Sequence, residues 1–177
     1  MSPEAAILEY IEKARAVLGD KTVYASCVIH KPWTFLEGKH FNTVVEIGTW
    51  CGLSAMVLAH YAEVVITIDT VRHPQLEAVL DTFGAGIRDR ISAIHVLNDH
   101  DKRNLVRHLD FDFAFVDGQH TLAGCELDFL ITKKCGSVLF HDYPCSAPEH
   151  QGVGLFVDSI TEGIVEPLVP FAWWRAE

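Results

Sequence analysis

Short apolar runs alternate with stretches of helical spacing along most of the chain. Val44-Val45-Glu46-Ile47, Val64 to Asp69, Ile91 to Leu97, Phe113 to Val116 and Ser137 to Tyr143 each read as a strand buried on both faces. Apolar residues at helical spacing follow the first run, at Ala55, Leu58 and Ala59. Helices are also expected over Pro74–Phe83, Lys102–Leu109, Thr121–Thr132 with Leu122, Leu127, Leu130 and Ile131 apolar, and Gly152–Ile160 with Val153, Phe156, Val157 and Ile160 inward. Five such alternations predict a parallel sheet covered on both faces. Right-handed crossovers then place every strand's carboxyl end on one rim. Ile164–Val169 and Phe171–Trp174 close the chain as short strands joined at Pro170. Phe171-Ala172-Trp173-Trp174 is either core or a dimer surface, and a homodimer is one expected assembly.

Pro3 to Leu18 reads as a helix, capped by Ser2, opened by Pro3 and stopped at Gly19-Asp20. Ile7, Leu8, Ile11, Ala14 and Leu18 form its apolar face. Lys21 to Asn42 is harder to read. It carries Tyr24, His30, Pro32-Trp33 and Phe35, which either pack against the sheet edge or form a lid. The expected organisation is one domain over 1–177 with an N-terminal helical extension to about residue 40.

Composition narrows the function. The 177 residues are 49% apolar and 21% charged, ordinary for a globular chain, with a formal net charge of −10. No basic run is longer than a pair such as Lys133-Lys134, so neither a nucleic-acid backbone nor a membrane surface is an expected partner. Cys27, Cys51, Cys125, Cys135 and Cys145 are odd in number and include no Cys-x-x-Cys pair, which predicts neither a disulfide framework nor a zinc knuckle. Met1-Ser2-Pro3-Glu4 is not a signal-peptide start, and a cytoplasmic location is expected.

The candidate chemistry lies where the strands end. Glu46-Ile47-Gly48-Thr49-Trp50-Cys51-Gly52-Leu53-Ser54 is a strand, a glycine turn and a helix entry. Its glycines either let a ligand approach the backbone or serve the turn's own geometry. The pattern is neither the dinucleotide fingerprint nor the phosphate loop. No Lys or Arg lies between Phe41 and Val71, so a ligand with a cationic group and hydroxyls suits the loop better than a pyrophosphate. Asp69 ends the next strand 23 residues after Glu46, where a carboxylate would hold a ribose diol or cap its own turn. Asn98 and Asp99 either accept from an adenine amino group or serve as turn residues, with Asp101 expected to cap the next helix. Asp117-Gly118-Gln119-His120 and His141-Asp142 follow the fourth and fifth strands.

Taken together, Glu46 to Ser54, Phe115-Val116-Asp117-Gly118-Gln119-His120 and Phe140-His141-Asp142-Tyr143 resemble the class I S-adenosylmethionine-dependent methyltransferases, of the subfamily that includes small-molecule and sugar O-methyltransferases. The resemblance runs from about Asn42 to Trp174. It implies a Rossmann-like, seven-stranded, mostly parallel sheet with the last strand antiparallel. It implies S-adenosylmethionine as cofactor, held by Glu46, Gly48, Thr49, Gly52, Ser54 and Asp117, with Asp69 on the ribose and Asn98 or Asp99 on the adenine. It implies methylation of a small-molecule acceptor, through oxygen. In its metal-dependent members Asp117 and Asp142 match magnesium ligands and His120 matches the general base. A carboxylate usually stands where this chain has His141, so the metal triad would be Asp117, His141 and Asp142, and a divalent ion such as Mg or Mn is the one implied. Imidazole suits softer ions than magnesium, and His141 could instead hydrogen-bond Asp117 or the substrate. His120 could equally be a locally bonded helix-entry histidine. A binding module without turnover and a metal-dependent hydrolase on Asp117, His120, His141 and Asp142 are the alternatives. The hydrolase leaves Glu46 and Asp69 unexplained.

Overall fold

A computed structural model describes residues 2–144 and 147–177, so Cys145 lies outside the described residues. Helix α1 spans Pro3–Leu18. Ser2 Oγ accepts from the Ala5 amide at its start, and Gly19, at φ +78°, ends it. Ile7, Ile11, Ala14 and Leu18 are buried, whereas Leu8 falls outside that stripe and is exposed, contrary to expectation. The chain then turns directly into α2 (Asp20–Ala25), a 3₁₀ turn (Cys27–His30) and α3 (Trp33–Leu36). Trp33 and Leu36 join the core and Phe35 packs on it, while Tyr24 stays exposed. The aromatic segment is thus partly core and partly rim.

Strands and helices follow as β1 (Phe41–Ile47), α4 (Leu53–Ala59), β2 (Ala62–Asp69), α5 (Leu76–Leu80), α6 (Ala85–Arg88) and β3 (Ile91–His95). Then come α7 (Asp99–Val106), β4 (Phe113–Val116), α8 (Leu122–Thr132), β5 (Ser137–His141), α9 (Gln151–Ser159), β6 (Ile164–Leu168) and β7 (Phe171–Arg175). The sheet order is β3-β2-β1-β4-β5-β7-β6. The first five strands pair in parallel, and β7 runs antiparallel to both β5 and β6. This is the expected seven-stranded, mostly parallel architecture. Among the described residues no helix is long and apolar enough to cross a membrane.

Four local expectations change. Asn98, not Asp101, caps α7: its side-chain oxygen accepts from the Asp101 amide, three residues on, where an N-cap bonds. The helix expected over Pro74–Phe83 is shorter, Leu76–Leu80, and a further short helix, α6, follows it. On α8, Leu122 and Leu130 are exposed and the buried face includes Asp128. Phe171, Ala172, Trp173 and Trp174 are all buried within the one chain, which removes the dimer-surface alternative for that stretch.

Side chains alternate between faces along each strand. Val44, Val65, Phe113, Phe115, Leu139, Phe171 and Trp173 pack on the side covered by α1 and α4. Ala114, Val116, Val138, Phe140, Ala172 and Trp174 pack on the side of α8 and α9. The same parity decides where the polar strand ends point. Glu46 follows Val44, Thr67 and Asp69 follow Val65, Asp117 follows Phe115, and His141 follows Leu139. All five therefore face the α4 side.

Candidate functional site

The rim on that side encloses a cavity of about 530 Å³, within the range of small-molecule sites. Its walls are the first glycine loop, the end of β2, the turns after β4 and β5, and the α2–3₁₀ segment with Tyr24, Cys27, Ile29 and His30. Gly48, Thr49, Ser54, Asp69, Asp117, His120, His141 and Asp142 all line it. Gly52 does not; it sits at φ +86° against Leu76 and Leu80. Asn98 and Asp99 are not in the wall either. Asn98 caps α7, and Asp99 meets Lys102 at 2.9 Å and Gln119 at 3.3 Å.

The glycine loop is explained first by its own geometry. Gly48 has φ +101°, and a Cβ there would run into the Asp117 backbone carbonyl. Strand ends β1 and β4 can approach this closely only with glycine at that position. Asp69 fixes the loop: its two oxygens accept from the Trp50 and Val71 amides, each at 2.9 Å. Thr49 Oγ1 and Thr67 Oγ1 pair at 2.7 Å beneath it.

Glu46 lies behind the cavity wall, fully buried, and neither carboxylate oxygen has a hydrogen-bond partner. Burial pushes its pKa up to about 8; Ser54 and Thr67 act in the opposite direction, and Asp117 and Asp69 add repulsion. Such a site is poised for a cation.

Across the cavity stands a cluster of imidazoles and carboxylates. His141 Nδ1 donates to Asp117 Oδ1 at 3.1 Å, and His141 Nε2 meets His30 Nδ1 at 2.9 Å. His120 Nε2 lies 3.5 Å from Asp117 Oδ1 and 3.2 Å from Asp142 Oδ2. Burial works to raise Asp117, but the neighbouring His120 and His141 imidazoles overcome it and bring the carboxyl to about 2. The Asp117 carboxylate raises His120, with Asp142 adding to it and burial opposing. Burial and His141 lower His30. Asp142 takes a left-handed φ of +61°, and the next amide, Tyr143 N, donates to Pro170 O. Backbone in that region is sparsely populated and tends to occur at functional sites.

Asp117, His141 and Asp142 converge, with donor atoms within 4.8 Å of one another. Yet both His141 nitrogens are already bonded, and each carboxylate is flanked by imidazole. Magnesium prefers near-octahedral oxygen donors and retains its waters. This donor set does not fit it.

Two residues join the cluster that the sequence did not mark as chemistry: His30, read only as part of an edge or lid segment, and His150, not singled out at all. His30 comes from the N-terminal segment, and His150 ends a 3₁₀ turn (Pro148–His150) with Nδ1 2.7 Å from Asp142 Oδ2. Neither lies at a strand end, the one signal that marked the others.

A family model described as a methyltransferase domain matches residues 45–143. No curated protein matches the chain. Solved structures do. The S-adenosylhomocysteine-bound methyltransferase PaMTH1 of Podospora anserina is 18% identical over 97% of this chain and 88% of its own, with a TM-score of 0.64. The Bacillus cereus O-methyltransferase in complex with S-adenosylhomocysteine is 16% identical, covering 98% and 91%, at 0.63. TomG, the O-methyltransferase of Streptomyces achromogenes involved in tomaymycin synthesis and solved with S-adenosylmethionine, is 18% identical, covering 96% and 90%, at 0.62. At these identities the likeness is one of fold.

Proposed function

The chain belongs to the methyltransferase-domain family, and we propose that it moves the methyl group of S-adenosylmethionine to a hydroxyl of a small molecule. The observation that carries this reading is His120, held between Asp117 and Asp142 in the wall of the cavity that the glycine loop also lines. Bound in the cavity, the sulfonium supplies an activated methyl. The acceptor oxygen would form the new bond to carbon as the S–CH₃ pair stays on sulfur, and the hydroxyl proton goes to the His120 imidazole, whose Nε2 faces the two carboxylates. Asp117 and Asp142 stabilise the imidazolium that results. His141 orients Asp117, and His30 orients His141. Glu46 supplies negative charge beside Ser54 for the cationic end of the cofactor, and Asp69 has lone pairs left for the ribose hydroxyls.

The cavity's size and the net charge of −10 support a small-molecule acceptor over a nucleic acid. We further place the protein in the cytoplasm, an expectation from its cysteine pattern.

Calorimetry with S-adenosylhomocysteine tests the cofactor. We expect binding in the wild type, and a loss of about 1.5–3 kcal/mol for each charge-assisted bond removed in Asp69→Ala. Unchanged affinity in a folded Asp69→Ala protein would remove that assignment, and a preference for NAD would overturn the reading. Transfer of labelled methyl to a metabolite pool tests the reaction. His120→Ala should lower turnover roughly 10²–10⁴-fold with cofactor affinity retained. Cofactor binding without transfer across a wide panel would instead indicate a binding module.

A further inference from the structure

Methyl transfer uses only part of the histidine cluster, and His150 has no task in it. His150 Nδ1 and His120 Nε2 lie 2.7 Å and 3.2 Å from the same oxygen, Asp142 Oδ2. The three donor atoms lie within 4.8 Å of one another. The two imidazole rings stack at 4.1 Å with an angle of 25° between planes. Both nitrogens are buried, and each meets the carboxylate oxygen without the angle of a hydrogen bond. Buried polar nitrogens that meet a carboxylate only at poor angles are incompletely satisfied, and one cation between the three donor atoms would satisfy all of them.

Spacing and chemistry agree on the kind of cation. Donors at about 2.0–2.1 Å from a tetrahedral ion stand roughly 3.3 Å apart. One carboxylate and two imidazoles form the set that zinc and its neighbours take, with the fourth position open. The backbone holds the set in place. Gly152 of α9 packs directly on the His120 carbonyl, where a Cβ would collide, so the turn carrying His120 and the segment carrying His150 are pressed together.

We propose that His120, Asp142 and His150 form a binding site for an imidazole-preferring divalent ion, zinc or cobalt(II). The site shares only Asp142 with the Asp117, His141 and Asp142 triad that the family resemblance implies. It has a consequence that rests on the base assignment above. With an ion on Nε2, the neutral His120 ring carries its one proton on Nδ1 and has no lone pair left for the acceptor's proton. An occupied site therefore blocks proton removal from the acceptor, and the ion acts as a brake on transfer.

Titration of the full-length protein with cobalt(II), read by its visible d–d absorption, tests the site. We expect one ion per chain, displaced by zinc and unaffected by equimolar magnesium. Removing an outer-shell partner of a metal already costs 10–100-fold in affinity, so losing a direct ligand should cost about 100-fold or more in His150→Ala. His150→Gln, which keeps the bulk, and Asp142→Asn should weaken binding similarly. In histidine-labelled protein, zinc should shift the nitrogen resonances of His120 and His150. Absence of the cobalt bands in wild type, wild-type affinity in His150→Ala, or displacement by equimolar magnesium would each overturn the proposal. S-adenosylhomocysteine binding measured on the same sample separates the two ideas. Cobalt without the cofactor product keeps the ion site and refutes the methyltransferase reading; the product without cobalt does the reverse.

Discussion

Glu46 is the residue whose ionisation the fold changes most usefully. Its carboxyl is raised from about 4.5 to about 8 because it is buried with no partner. A carboxyl raised on folding weakens the native state as pH climbs from its unfolded to its folded value. The ligand-free protein should therefore lose on the order of a few kcal/mol between about pH 4.5 and pH 8, and Glu46→Gln should flatten that decline in urea melts. A cofactor ammonium paired with this group would expel the proton. Calorimetry at pH 7 in buffers of different ionisation enthalpy should show proton release on S-adenosylhomocysteine binding, absent in Glu46→Gln. Gly48 is the other sensitive position. Gly48→Ala adds a Cβ against the Asp117 carbonyl at a φ of +101°. Denaturant unfolding should report a loss above about 4 kcal/mol, in the range that signals a specific structural conflict. The importance of both residues was legible from their place at the end of the first strand. The reason for Gly48 was not, because the carbonyl it avoids belongs to a residue 69 positions away.

Between elements, a buried ion pair ties α7 to α8. Lys102 Nζ meets Asp128 Oδ1 at 2.6 Å, with exposures of 3% and 0%. Asp128 also lies against Gly118, within the turn that carries His120. Removing one partner strands a charge in the interior, so Asp128→Ala or Lys102→Ala should each cost about 3–5 kcal/mol. Replacing both with apolar residues of similar volume, Lys102→Met with Asp128→Leu, should recover most of it in thermal melts. A double-mutant cycle gives the coupling directly. Nothing in the local sequence announces this pair. Asp128 sits among Leu127, Phe129 and Leu130, where periodicity predicts an apolar face with the acid outside. The helix rotates the other way because Phe129 must reach Phe140, Phe156 and Trp174.

At the scale of the molecule, the sheet brings residues from six separate segments to one cavity. Ligand binding there should stabilise the whole cooperative unit. Saturating S-adenosylhomocysteine at about 100 times its Kd adds roughly 2.7 kcal/mol, a rise in Tm of about 5–10 °C for a chain of this size. Differential scanning calorimetry would check it, with NAD as the control expected to give no shift.

The strand–helix alternation, the glycine loop and the polar strand ends follow from the sequence alone, because each is local and written in the spacing of neighbouring residues. The parallel sheet and the rim bearing Asp69, Asp117, His141 and Asp142 follow from that alternation, while the seven-stranded form was what the family resemblance implied. Tertiary structure decided the rest. The strands are apolar on both faces, so the sequence cannot tell which face Glu46, Asp117 and His141 share; the helices packed on each side settle it. His30 and His150 join the site through chain folded back over the rim, and their contacts with His141 and Asp142 span 111 and 8 residues. Such meetings depend on how loops cross a sheet edge, and no periodicity in the sequence encodes that path.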